Sequence, residues 1–466
     1  MFKASSRRIS STITGHFEST AYKDIRRTMA TASQVQLTTN EHPAYFVSRG
    51  NAPEQASFAS DLLQKNHDSY HIYFNNDGFH NHIAHHLLTT YALAASAEDL
   101  QHHFDSNKTY QRPQESYDQK IVTEMRDPTK FTKYLGDEHQ YSNYLRFFQE
   151  EIDKLGWQAT VNRCVFAGDE LANKMLPLMF AGFLHPLIHL GFGIEFEQPA
   201  IIAEALAQGA THSDWIAKYF HSTEQAANKH RSSSSKSMAE LLDEVRNDKE
   251  LHAAPQFKDG NKIRDGILAR AGERMISVAS QYHIKPSELE EKTAEMINTA
   301  AYFTGAAQRK DRVVKFDFFY MHCLNSSIFF SSFLKQDWLS DANKARLLEW
   351  KVWNDLAMYA SRKSPELLLD EIKNYKPKQP SDWTGVIERV RRMEDDGHAS
   401  KMIRALANGQ QACAPYEAKL DFRLKGDDWL QLAHMTIHSV EADGPHWVRS
   451  TGFDEAWKSV PLRSQL

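Results

Sequence analysis

Long apolar runs are missing from this chain: no stretch comes near the roughly 18 uninterrupted apolar residues that a membrane span needs, so a soluble protein is expected. Cysteine is scarce too. The three present, Cys164, Cys323 and Cys413, are odd in number and far apart, which leaves neither a disulfide framework nor a CxxC metal site and points to a reducing, cytoplasmic setting. Positive charge is not in excess, with 55 Lys plus Arg against 60 Asp plus Glu and a formal charge of -5. That balance supplies no field for a nucleic acid or an anionic membrane surface. No Walker loop, GxSxG elbow, HExxH or zinc-finger spacing occurs, so kinase, hydrolase and nucleic-acid readings have no support. Strand-like alternation is sparse.

What the chain does have is length, helix-forming residues and histidine. Its 466 residues can bury a sizeable core. Beyond residue 55, segments rich in Ala, Leu, Glu, Lys, Gln and Met carry apolar positions three and four apart, the mark of amphipathic helices. The pattern predicts helices over about 55–67, 78–97, 139–155, 158–178, 184–196, 199–209, 211–225, 236–248, 262–280, 286–304, 316–335, 341–361, 363–374, 383–394 and 397–407. The breaks at Arg231–Lys236, Ala253–Asn261 and Lys376–Trp383 are too short for true linkers. The expected architecture is therefore all-α, one large multi-helix domain over residues 41–466. Residues 1–40 are set aside as an extension. The first 28 contain Arg, Lys, Ser and Thr with no acid before Glu18, the composition of a mitochondrial transit peptide, while Met29 reads equally well as an ordinary start.

Twenty-three histidines are many for this length, and they cluster. NNDGFHNHIAHHLLTTYAL, residues 75–93, holds His80, His82, His85 and His86 in a predicted helix, where residues three or four apart share a face. A solvated polar face with one buried member is the bland alternative. FLHPLIHLGFGIEF, residues 183–196, places His185 and His189 at i, i+4, a spacing that lets two imidazoles reach one metal. The surrounding residues are apolar, so unbound imidazoles there would be costly unless they satisfy each other. Pro186 in the same stretch predicts a helix start or a kink. His322 stands alone in the apolar segment FDFFYMHCLNSSIFFSSF, residues 316–333, where bonding to a neighbour competes with metal ligation. In KARLLEWKVWNDLAMY, residues 344–359, the helical wheel puts Lys351 and Asp355 within an apolar arc of Leu347, Leu348, Val352, Leu356, Met358 and Tyr359. Such a lysine either pairs with its i+4 acid or loses its proton, and a neutral amine can take up CO₂ to become a carbamate.

The blocks NHIAHHLLTTYAL, HPLIHLGFGIEF with PAIIAEALA, MHCLNSSIFFSSFL, LLEWKVWNDLAMYASR and GFDEAWKSVP resemble, in order, those of the fungal questin oxidase-like family. The resemblance runs from about residue 42 to the C-terminus. It implies an oxidoreductase that opens a ring of an anthraquinone-type polyketide with O₂, at a non-haem Fe(II) held by four histidines and a carboxylated lysine. Carried over by position, the ligands would be His82, His185, His189, His322 and Lys351, with His322 and Lys351 closest to the catalysis. Imidazole and oxygen donors suit Fe(II). Glu195, Glu197, Glu204, Asp317 and Asp355 are available to orient the histidines, and Phe79, Phe183, Phe192, Phe319 and Tyr320 to line a flat pocket. Two other readings compete. Some members are named for NADPH-dependent Baeyer–Villiger oxygen insertion without a metal; its nucleotide site usually needs a strand–GxGxxG–helix unit, and the one candidate, GFGIEF at 191–196, lacks the third glycine. A helical binding protein with incidental histidines is the other.

Overall fold

The computed structural model describes residues 29–38, 53–231 and 234–463. Seven helices position the site: α1 (Pro53–Ser69), α2 (Ile83–Ala92), α3 (Ala181–Glu195), α4 (Pro199–Ala210), α5 (Phe318–Leu334), α6 (Asp341–Ser361) and α7 (His398–Cys413). Helices α3, α4 and α5 are apolar nearly all round and buried on every side, so they form the centre. Further helices, among them Tyr141–Leu155, Leu289–Ala306 and Asp428–Glu441, cover them. The strands among the described residues are two dipeptides, β1 (Phe316–Asp317) and β2 (Trp447–Val448), paired in parallel with Phe316 opposite Trp447 and Asp317 opposite Val448. One hydrophobic cluster takes residues from Ala32 to Val440, and a small satellite joins Val313, Val448, Trp457 and Val460.

Small residues set how closely the central helices approach. A Cβ on Gly191 of α3 would lie 2.2 Å from Phe329 Cγ of α5, and one on Gly193 would lie 2.6 Å from Ile202 Cγ1 of α4. Glycine there exchanges helix propensity for contact. At the start of α3 the backbone breaks: Gly182, Phe183 and Leu184 all take left-handed angles, φ 53°, 56° and 71°. Pro186, unable to donate, follows the break, and Leu187 N donates to Met179 O across it at 3.0 Å. The kink expected from Pro186 is therefore present, three residues wide.

The other differences from the expected elements have local causes. The helix expected over 78–97 begins only at Ile83, because Gly78 is left-handed and His80 forms an isolated bridge with Tyr73. His80 and His82 consequently sit on the approach to α2, not on it. The span 158–178 is divided at left-handed Gly168, after which Asp169 caps Glu170–Leu178. The span 363–374 contracts to Leu369–Lys373, since Lys363 and Ser364 take positive φ. Helices Ala97–Lys108 and Asp428–Glu441 were not expected; the first is largely polar and held by a reciprocal Ser96–Asp99 capping box.

Residues 29–38, set aside with the extension, pack onto the body. Ala32, Val35 and Leu37 are buried, and Leu37 N donates to Ser60 Oγ at 2.8 Å. Residues 1–28, to which the targeting expectation belongs, lie outside the described residues. Among the described residues no single helix is long and apolar enough to cross a membrane.

Candidate metal centre

Four imidazoles from four separate segments converge at the core. His82 ends the approach to α2, His185 follows the kink in α3, His322 lies one turn into α5, and His398 opens α7. His82 Nε2 and His185 Nε2 face each other at 2.8 Å. The His185 ring centre is 4.9 Å from that of His322, which is 5.0 Å from His398, and His398 is 4.7 Å from His82. His82, His185 and His398 each offer a ring nitrogen within 4.8 Å of the others.

The outer nitrogens are held by the local fold. His185 Nδ1–H donates to Gly182 O at 2.6 Å, a carbonyl turned inward by the left-handed break. His322 Nδ1–H donates one turn back to Phe318 O at 2.7 Å. His398 Nδ1 bonds the Asp396 carboxylate, whose other oxygen lies 3.5 Å from His82 Nδ1. In this tautomer the Nε2 atoms of His322 and His398 present lone pairs to the interior, and neither has a partner among the described residues. Fixing Nδ1 so that Nε2 can ligate is how metal-binding histidines are oriented. Burial, with the Lys401 charge adding to it, drives all four rings well below the usual imidazole range. They are neutral, as ligation requires.

Lys401 stands one turn after His398 on the buried face of α7 and is 5% exposed. Burial pulls its ammonium down to about 8, against the opposing pull of Asp396 and Asp395.

Of the five residues singled out as ligands, the structure brings together His82, His185 and His322. His189 is one turn beyond His185 but turns to α4: its Nε2–H donates to Glu204 Oε2 at 2.7 Å, and its Nδ1 accepts from His85 Nε2 at 2.9 Å. Glu204 accepts a second bond from His67 Nδ1 at 2.7 Å. The alternative of mutually satisfied core histidines describes His189. Lys351 is fully buried, on the arc expected for it, and paired with Asp355; the lysine whose charge acts on His82, His185, His322 and His398 is Lys401. His80 stacks on His185 at 4.0 Å and bonds His212, while the His86 ring lies tilted against His103. Glu195 and Asp317 do not orient histidines; Glu195 pairs with Arg404 and Asp317 caps α5. His398 and Lys401 were missed by reading the sequence. Lys401 escapes the helical wheel because the residues three and four positions away, Gly397, His398, Arg404 and Ala405, form no apolar arc.

A cavity of about 380 Å³ opens onto His82 and His185. Phe79, Phe183, Trp215, Phe318 and Phe319 supply flat apolar wall. Phe192 and Tyr320 are in the core instead, against Phe329 and Tyr359.

The questin oxidase-like family model matches residues 79–406, a span that contains all four imidazoles and Lys401. A Baeyer–Villiger monooxygenase of Cryptosporiopsis sp. is 44% identical over 414 residues, covering 86% of this chain and 93% of that protein. A Baeyer–Villiger oxidase of Pestalotiopsis fici is 39% identical over 93% of this chain and 99% of its own length. A questin oxidase of Aspergillus terreus is 37% identical over 93% of this chain and 98% of its own.

Proposed function

The chain belongs to the questin oxidase-like family and is an oxidoreductase; from that premise we propose that it cleaves a ring of an anthraquinone-type polyketide with O₂ at a non-haem iron. The ligands are His82, His185, His322 and His398, with Lys401 as its carbamate in the position that the resemblance gave to Lys351. One observation carries the reading: four neutral, buried imidazoles meet, and the inward nitrogens of His322 and His398 are unpartnered. Leaving such groups dry and unbonded costs about 1–3 kcal/mol each, which a metal ion removes.

Bound Fe(II) would supply the activation of O₂, and an electron-rich phenolic ring the electrons. The protein's part follows from its own groups. Gly182 O, Phe318 O and the Asp396 carboxylate hold the Nδ1 protons of His185, His322 and His398, which fixes their tautomers. A lysine lowered to about 8 is roughly one-tenth neutral at pH 7, far more than an ordinary lysine. Its carbamate adds an anionic oxygen donor to a set of neutral imidazoles. The aromatic walls stack a planar substrate beside the cluster and exclude water.

The relatives' Baeyer–Villiger names favour oxygen insertion as a second reading, for which the sequence resemblance offered NADPH as the cofactor. Against a nucleotide loop at 191–196, Gly191 and Gly193 lie inside a helix and serve its packing against Phe329 and Ile202. Metal analysis of anaerobically purified full-length protein, with O₂ uptake measured on a hydroxyanthraquinone with and without NADPH, separates the two. Near-stoichiometric iron and NADPH-independent uptake are expected. Metal-free protein that inserts oxygen only with NADPH overturns the proposal.

A further inference from the structure

We propose that Arg449 is the specificity residue of the cavity, recognising an ionised phenolic oxygen of the aromatic substrate and setting which edge of the ring faces the imidazole cluster. This rests on the reading of the cavity as the aromatic-substrate site.

The backbone places this arginine by a chain of local causes. β2 pairs with β1 immediately before α5, and alternation along an extended segment turns Val448 inward and Arg449 outward. The next residues are tied down from the same point. Asp317 Oδ1 accepts from Phe319 N and caps α5, while its Oδ2 accepts from both Ser450 N and Thr451 N at 2.8 Å. Ser450 takes a left-handed φ of 80° to allow this. The carboxylate that fixes the start of the helix bearing His322 therefore also fixes the segment bearing Arg449. The guanidinium lies over the Phe318 ring at 4.7 Å, and that ring is 4.8 Å from His322 and 5.5 Å from His398. Arg449 stands one ring from the cluster.

Charge explains what it is for. Among the described residues no carboxylate lies within ion-pair distance of Arg449, whereas the buried Arg404 is paired with Glu195. Asp77 is the carboxylate among the residues lining the cavity and repels an anion. The remaining lining is aromatic, imidazole or neutral amide and hydroxyl. An ionised ring oxygen thus finds its counter-charge at Arg449, whose planar fork stacks on Phe318 while donating at its edge. A phenolate is also the more electron-rich form of the ring.

The test uses full-length, iron-loaded protein under anaerobic conditions and two probes, 2-hydroxyanthraquinone and 2-methoxyanthraquinone, titrated by visible absorbance below the pH at which the phenol ionises in water. Wild type should bind the hydroxy compound as its phenolate, seen as the red-shifted band. Arg449→Gln should weaken that binding by about tenfold, the scale of one charge-assisted hydrogen bond at a partly hydrated site, and lose the band. Arg449→Lys should keep part of both. The methoxy compound should bind wild type and Arg449→Gln alike, and iron content should not change. Retention of affinity and band in Arg449→Gln overturns the assignment, as does equal weakening of both probes, which would make Arg449 a wall residue. If wild type binds neither probe, the aromatic-site reading falls first and this assignment with it.

Discussion

Replacing Arg404 by Met should be among the most damaging single changes outside the ligands. Arg404 on α7 and Glu195 at the end of α3 are 1% and 0% exposed, and the guanidinium grips the carboxylate at both oxygens, with Nη1–Oε2 at 2.9 Å. The pair joins the helix that carries His398 to the helix that carries His185. Removing the arginine strands a carboxylate in the core, a change that typically costs about 3–5 kcal/mol. Removing both charges is different: Arg404→Met combined with Glu195→Met should come within about 1–2 kcal/mol of wild type, because well-packed apolar side chains commonly replace a buried pair at little loss. Denaturant unfolding of the three proteins checks the stability, and iron titration checks whether the crossing of the two helices holds the ligands in register. A single variant that loses less than about 1 kcal/mol, or a double variant as unstable as the single, refutes the reasoning.

The other predictions concern the site and its supports. His398→Ala and His185→Ala should lose iron and turnover together, whereas His189→Ala, outside the cluster, should cost about 10–100-fold at most; iron analysis and rates of the three variants decide this. Lys401→Met should abolish iron binding, and CO₂-depleted wild type should lose activity and regain it with bicarbonate, while Lys351→Met should act through stability by leaving Asp355 unpaired. Gly191→Ala should destabilise by about 1–3 kcal/mol despite alanine's better helix propensity, since its Cβ would strike the near end of the Phe329 side chain and push α3 from α5; unfolding and metal affinity should fall together. Burial alone would raise the Glu204 carboxyl, yet bonds from His189 and His67 hold it at about 2, below its ordinary 4.5. A depressed acid stabilises above its unfolded value, so this contribution is complete above pH 4.5 and fades as pH falls toward 2. Glu204→Gln should flatten stability across that window in acid titrations followed by circular dichroism.

Apolar residues three and four apart made the helical class legible, because that periodicity is local and holds wherever one face is buried. Pro186 announced the break beside His185 for an equally local reason, the missing donor. Imidazoles among apolar neighbours marked His185, His189 and His322 as candidates, while His82 was singled out from His80, His85 and His86 only through the family resemblance. The convergence of His82, His185 and His322 was not legible. His82 and His398 are 316 positions apart, and no spacing rule connects them; only the packing of α3 and α5 at glycine distance, with α7 drawn in by Arg404 and Glu195, places them around one point. The choice between two buried lysines shows the same limit. Lys351 sits on an apolar arc, whereas Lys401 has Gly397, His398, Arg404 and Ala405 three and four positions away, so the wheel singles out the first and passes over the second. The i+4 acid of Lys351 is local and legible; what singles out Lys401 is three-dimensional, its burial one turn from His398 where its charge acts on the imidazoles. Local sequence dictates which apolar faces are buried, and the tertiary fold decides which groups meet, because a helix wheel records the angle of a side chain about its own axis and nothing of what stands opposite.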